Sequence, residues 1–377
     1  MKKKIKKSII YIILIAITLC LSSCNVLEND PDKKIEMEAT VIEIEKYGHA
    51  VLNITKSEFE KEGFELGDIV NVRLGSCNSN MPFFDGYYAN PGHIMLRGTS
   101  SKDYIAVCIN YGDFSAENNI KVGDIAVITM VEKGGMREIQ ELYALQYSNN
   151  RDDFLDDACF ANFRSVTAGR IGEGKLFRSS SPINNKIGRA NYANKLIKSV
   201  GVTTILNLSD STENIEKYFK DNNVDTTSYR FLYENGYVLA INLTGNFYSD
   251  DFATSIAAGL TFLATNEPPY CIHCTEGKDR TGFAAMLLEA LMGATLDEII
   301  DDYMLSFYNY YGINKELEPK RYQAVLDINL MEMLFYVTGV ESVEELKQVN
   351  LETCVTTYLI NSGMKQEDID KLKEKLD

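Results

Sequence analysis

Positive charge is in short supply: 38 lysines and arginines stand against 54 aspartates and glutamates, a formal charge of −16 over 377 residues. So acidic a chain lacks the basic surface that nucleic-acid phosphates require, and an anionic ligand must be drawn in by charge gathered locally. Histidine is scarcer, with three in the whole chain, and no Ser-His-Asp constellation or metal-ligand cluster emerges. No metal or cofactor is expected. Eight cysteines at irregular spacing do not read as a disulfide framework in a chain this long. The apolar run at the N-terminus, residues 9–21, is too short to span a bilayer comfortably.

That run follows Lys2, Lys3, Lys4, Lys6 and Lys7 with no acid among residues 1–23, the charge layout of a secretory signal. It ends Leu21-Ser22-Ser23-Cys24, which resembles a bacterial lipobox. The resemblance implies cleavage before Cys24, lipidation of its thiol, and a protein anchored to the membrane outside the cytoplasm. Residues 24–34, polar and containing Pro31, then form a tether.

Length suggests two or three domains. From Ile35 the pattern alternates, with Ile35, Met37, Ala39 and Val41 opposite Glu36 and Glu38. Strand-like runs follow at 51–54, 69–72, 104–107 and 125–128, so residues 35–147 read as a small β-barrel or sandwich. Ser57-x-x-Glu60 has the spacing of a helix-starting capping box. Gly67-Asp68-Ile69-Val70 and Gly123-Asp124-Ile125-Ala126 look alike and hint at related halves, and residues 82–88 read as an aromatic loop.

A polar linker at 148–153 opens the second domain, residues 148–377, where helix and strand patterns alternate. A helix stops at Gly201, strands are expected at 203–208, 229–233 and 238–241, and a helix at 252–265. This is the pattern of an α/β sheet with its site at the strands' carboxyl ends. Thr295-x-x-Glu298 and Ser342-x-x-Glu345 mark later helix starts. Tyr303, Phe307, Tyr308, Tyr310 and Tyr311 suit core packing at helical spacing, or the wall of a pocket.

The stretch with the most chemistry is His273-Cys274-Thr275-Glu276-Gly277-Lys278-Asp279-Arg280-Thr281-Gly282, between apolar Tyr270-Cys271-Ile272 and a run, 283–292, that is apolar nearly all round. Strand, tight loop and buried helix follow. The first N–H groups of a helix have no intrahelical partner and carry partial positive charge, so the loop is an anion cradle. Cys274 opens it and Arg280 closes it. That field favours the thiolate, the nucleophilic form, and the guanidinium can fork two oxygens of a tetrahedral anion such as phosphate. Gly277 supplies a positive φ or close backbone approach, and Thr281 can hydrogen-bond the sulfur as it leaves. A Cys271–Cys274 redox pair explains only two of these residues.

The loop resembles the signature of cysteine-dependent protein phosphatases, most closely the bacterial tyrosine and dual-specificity enzymes that also take phosphoinositides. Asn162-Phe163-Arg164, Leu176-Phe177-Arg178-Ser179 and the run from Gly201 to Leu208 match that family's motif order. The resemblance implies an α/β phosphatase domain, a phosphocysteine on Cys274, and substrate binding by Thr275, Glu276, Gly277, Lys278 and Arg280. It also implies a carboxylic acid that protonates the leaving group. Asn207-Leu208-Ser209 stands where the family tends to have aspartate-leucine-arginine, so the acid is left open among Asp210, Asp279 and, third, Asp250 or Asp251. His273 is expected to order the loop. The substrates expected are phosphotyrosine proteins, with phosphoserine, phosphothreonine and phosphoinositides beside them; the competing reading is a surface lipoprotein that recognises phosphate or a partner without catalysis.

Overall fold

The structure, a computed structural model, describes residues 35–98, 103–221 and 223–377. The expected leader, Cys24 and the tether lie outside the described residues.

Seven strands close a barrel: β1 (Glu36–Ile44), β2 (Ala50–Thr55), β3 (Ile69–Leu74), β4 (Cys77–Phe84), β5 (Ile94–Gly98), β6 (Tyr104–Ile109) and β7 (Ile125–Glu132), in the order β1-β2-β6-β5-β4-β3-β7. Neighbours are antiparallel except β4 and β5. Alternation sends Val70, Val72 and Leu74 of β3 inward, where Phe59 stacks on Phe64 at 4.1 Å and meets Phe83 edge-on at 5.0 Å.

Three local expectations give way here. Pro82, Phe83 and Phe84 finish β4, with both phenylalanines buried, so only Tyr87 and Tyr88 of the aromatic stretch are in a loop. The capping box is Thr55–Glu58, two residues upstream of Ser57-x-x-Glu60, because Thr55 leaves β2 with extended backbone (φ −79°, ψ 156°) and can receive the Glu58 N–H. The two Gly-Asp matches are one turn built twice. Gly67 and Gly123 have φ of +87° and +97°, and each aspartate accepts from an N–H three residues back, Glu65 at 2.6 Å and Lys121 at 2.8 Å. They launch β3 and β7, neighbours in the barrel.

The second sheet holds β8 (Arg164–Ser165), β9 (Leu176–Ser179), β10 (Thr204–Asn207), β11 (Val238–Ala240) and β12 (Tyr270–His273), ordered β11-β10-β12-β9-β8. Central β12 runs parallel to both neighbours, β10 and β9. Tyr270 and Ile272 pack into one helical layer with the helices Asp250–Thr265 and Asp279–Leu291, while Cys271 faces the opposite layer with Ile197, Ile215 and Tyr229. Residues 229–233, expected as a strand, lie in the helix Thr227–Glu234. Tyr229, Leu232 and Tyr233 pack together at helical spacing, and Phe231 is exposed. From Thr281 to Leu291 every residue of the Asp279–Leu291 helix is buried.

The helix Arg137–Tyr143 joins the two units. Ile139 packs on Phe84, Met95 and Cys108 of the barrel, whereas Leu142 belongs to the core around β12. The following segment, expected as a plain polar linker, is clamped by Arg189. This buried guanidinium donates to the carbonyls of Ser148 and Phe160 and lies against the rings of Tyr147, Phe154, Phe160 and Tyr310.

Candidate active site

β12 delivers Cys274 to the carboxyl edge of the sheet, 2% exposed, at the head of a loop that runs into the Asp279–Leu291 helix. The carbonyls of that loop are held from outside. Thr275 O accepts from Ser181 N–H at 3.1 Å. Glu276 O accepts from Asn162 Nδ2 at 3.2 Å and from the Tyr310 hydroxyl at 2.7 Å. Gly277 O accepts from Asn162 Nδ2 at 3.1 Å and Arg178 Nη2 at 2.9 Å, and Lys278 O from the same nitrogen at 3.3 Å. In a trans peptide the N–H points opposite to the C=O, so four carbonyls turned outward leave their N–H groups facing in. Gly277 has φ +70°, and a Cβ there would lie 2.2 Å from the carbonyl oxygen of Ser179. Both the conformation and the contact demand glycine.

Behind the loop lies a buried charge network that sequence reading missed. Arg178 reaches Asp302 with Nη1; Arg164 bonds the same carboxylate through Nε at 2.7 Å and Asn162 Oδ1 through Nη1 at 2.8 Å. Ser306 accepts from Asn162 at 3.2 Å and Arg164 at 3.1 Å. Burial opposes a charge on Asp302, yet Arg164 and Arg178 hold its carboxyl well below the usual range. Glu289 next to it is the reverse: burial, then the charge of Asp302 and a hydrogen bond to it, push its carboxyl well above the usual range. Asp302, Ser306 and Tyr310 recur every fourth residue along the helix Leu296–Tyr311. That spacing, one polar face inside an aromatic stretch, was the available signal.

Arg280 closes the loop, donating from Nη1 to Leu243 O at 3.0 Å and from Nη2 to Thr275 Oγ1 at 3.5 Å. With Glu276, Lys278, Asp279, Phe307 and Tyr311 it lines a cavity of about 570 Å³. Of the tyrosine-rich stretch, Tyr303, Phe307 and Tyr310 are buried, Phe307 and Tyr311 also form pocket wall, and Tyr308 is exposed. Lys278 is mostly buried, 2.6 Å from Asp279 Oδ1, 3.7 Å from Glu276 Oε2 and over the Phe307 ring. Burial works against its charge, but Asp279 and Glu276 outweigh this and raise its pKa. The ammonium is thus committed to two carboxylates. Glu276 in turn accepts from the Tyr147 hydroxyl at 2.7 Å.

The aspartates separate by position. Asp279 stands in the cavity wall, its side chain 42% exposed. Asp210 is 2% exposed and receives hydrogen bonds from Asn207 Nδ2 (3.1 Å), Ser209 Oγ (3.1 Å) and the Tyr218 hydroxyl (3.2 Å). Asp250 and Asp251 open the first turn of the Asp250–Thr265 helix, whose cap is Ser249, and are not in that cavity wall. His273 is buried; its Nδ1 donates to Cys274 O at 3.4 Å, so Nε2 is the acceptor for the Tyr229 hydroxyl at 3.3 Å. Burial lowers its pKa to about 4, which makes it a neutral strut. Thr281, expected against the sulfur, is buried with its hydroxyl making no hydrogen bond. Cys271 faces the layer opposite Cys274, burial pushes its thiol up to about 12, and the described cysteines are all free. No group of metal ligands occurs among the described residues.

Cysteine at the end of a central parallel strand, an inward-facing loop and an arginine on the next helix are together an arrangement that suits a tetrahedral anion. The family model described as "Tyrosine phosphatase family" matches residues 159–377, and the chain belongs to that family. Over 49 residues the chain is 47% identical to a Cupriavidus necator protein described as a putative tyrosine-protein phosphatase; the match covers 13% of this chain and 18% of that relative's length. Two solved structures are similar at low TM-score. The core catalytic domain of the S. cerevisiae PP-IP phosphatase SIW14, in complex with citrate, has a TM-score of 0.26 and 21% identity over 44% of this chain and 93% of its own. An uncharacterised conserved protein of Thermotoga maritima has a TM-score of 0.24 and 22% identity over 25% of this chain and 36% of its own. At such scores neither likeness bears on substrate or mechanism.

Proposed function

We propose that the protein hydrolyses phosphate monoesters through a phosphocysteine, phosphotyrosine best and phosphoserine, phosphothreonine and phosphoinositides more slowly. The observation that carries the reading is the outward tethering of the loop carbonyls from Thr275 to Lys278, with Cys274 and Arg280 at either end. The Cys274 sulfur attacks phosphorus in line as the bond to the leaving oxygen breaks. Inward N–H groups and Arg280 carry the charge on the three remaining oxygens. Asp279, the aspartate in the cavity wall, gives its proton to the leaving oxygen; in the second step its carboxylate takes a proton from the water that attacks phosphorus and releases sulfur. Asp210, buried and hydrogen-bonded by Asn207, Ser209 and Tyr218, is a positioning residue for Asn207 and, through it, Tyr229 in this account.

Phosphotyrosine comes first because Glu276 still pairs the loop's one lysine while Asp279 holds the proton it will donate, leaving little positive charge for a second phosphate. A phosphate-release screen over phosphotyrosine, phosphoserine and phosphoinositide substrates tests the reading. No release from any of them would overturn it in favour of a phosphate-recognising lipoprotein without catalysis.

We further propose that a lipid on Cys24 holds the enzyme on the outer side of the cell membrane, on the strength of the lysine-led leader and Leu-Ser-Ser-Cys. An unmodified Cys24 in protein from the native host, by mass spectrometry, would end that proposal.

A further inference from the structure

The catalytic cavity does not end at the phosphatase sheet. A second cavity, of about 900 Å³, lies between that domain and the barrel, and the two share Tyr143, Gly245, Phe247 and Asn329 as lining. The segment from Leu243 to Phe247 is the common wall. At one end its Leu243 carbonyl receives Arg280; two residues on, a Cβ on Gly245 would lie 3.2 Å from the hydroxyl of barrel residue Tyr111. Tyr143 rests its ring on Tyr88 of the barrel, stacked at 4.5 Å. A chain emerging from the phosphate site therefore meets the barrel next.

The far wall is built to receive something. Tyr47, Tyr87 and Tyr111, which are 65%, 44% and 61% exposed, line a cavity whose near side is Phe247 and Tyr248. Tyr111 is held at φ +57°, a backbone state unfavourable for a bulky residue, so its ring is presented at a local cost. Half-exposed tyrosines and asparagines suit a peptide, since they offer flat apolar area together with groups that bond main-chain amides. An anionic lipid surface would need a cluster of cations. This cavity's lining has one lysine, Lys46, and the chain carries −16.

We infer that the cavity between barrel and phosphatase domain is a peptide subsite, taking the apolar or aromatic residues that flank a phosphotyrosine, so that the barrel sets which phosphoproteins are dephosphorylated. The inference rests on the phosphatase reading above, and its test separates the two. Full-length protein and the variants Tyr47→Ala and Tyr111→Asn are compared, asparagine being chosen because it tolerates the left-handed backbone. Substrates are p-nitrophenyl phosphate and two phosphotyrosine peptides, one flanked by leucine and phenylalanine, the other by glycine and serine. Each variant should lower kcat/KM for the apolar peptide about tenfold, chiefly through KM, and leave the aryl phosphate and the glycine-serine peptide within about twofold. Fluorescence anisotropy of the apolar phosphopeptide on Cys274→Ser, with and without each barrel substitution, reads the subsite without turnover. Unchanged affinity there, equal losses on all three substrates, or a loss confined to micellar phosphoinositide would overturn the subsite. Absence of aryl phosphate turnover in the unsubstituted protein would overturn the phosphatase reading alone.

Discussion

Arg178 joins Asp302 to the carbonyl of Gly277: one guanidinium nitrogen is held by the carboxylate and the other donates to the loop at 2.9 Å. The guanidinium is wholly buried, so the pair fixes the loop's orientation out of contact with bulk solvent. The loop is held from behind by these charges.

Removing the charge of Asp302 leaves Arg164 and Arg178 buried without compensation, whereas burial and Asp302 push the Glu289 carboxyl toward its neutral form. Asp302→Asn should cost about 3–5 kcal/mol of stability, and Glu289→Gln under about 1 kcal/mol at neutral pH. Chemical denaturation of the two variants checks the contrast.

Gly277→Ala forces a side chain into the left-handed region and against the Ser179 carbonyl. Stability should fall by about 1–3 kcal/mol, but kcat by about 100-fold or more, because misaligned N–H donors lose transition-state charge stabilisation. Steady-state kinetics beside a thermal melt distinguishes this from simple unfolding.

The general acid is read from leaving-group dependence. Asp279→Asn should lower kcat/KM for phosphoserine or inositol phosphates by roughly 10²–10⁴, and for activated aryl phosphates by less than about tenfold. Asp210→Asn should slow all substrates alike. A reversal of these two patterns would move the acid to Asp210.

His273 gives the fold a signed pH dependence. Its folded-state pKa, about 4, lies below the ordinary value near 6.5, so between these values the unfolded chain binds a proton that the native protein excludes. Stability contributed by the neutral imidazole is whole above about pH 6.5 and is lost on going down to about pH 4, with a slope of up to about 1.4 kcal/mol per pH unit. Asp210, Tyr229 and Arg280 are the groups acting on it. His273→Gln should flatten that part of the curve in denaturant titrations run from pH 4 to 7.

Much of the site was legible because its chemistry is local. A strand, Cys274, Gly277, Arg280 and an apolar helix stand within one short run, and the glycine's φ of +70° is what that turn was expected to need. What was not legible depends on partners far along the chain. Asp302 is 124 residues from Arg178, and a charge inside an aromatic helix reads as a solvated face until the fold brings two arginines to it. Tyr229–Tyr233 misled because a short apolar run fits either period, and only packing on one face decides. Closure of the barrel needed β4, which carries Asn78 and Asn80, and β5, a five-residue strand with little alternation. The meeting of the barrel with the cavity at Arg280 has no local signature, since Tyr111 and Gly245 are matched only in three dimensions.

The most direct test of the account is to stop turnover of a phosphotyrosine peptide in acid and map the phosphate on the enzyme by mass spectrometry. The account predicts phosphate on Cys274 during turnover, none on Cys274→Ser, and no phosphate release by that variant. Phosphate on another residue, or release sustained by Cys274→Ser, would contradict it.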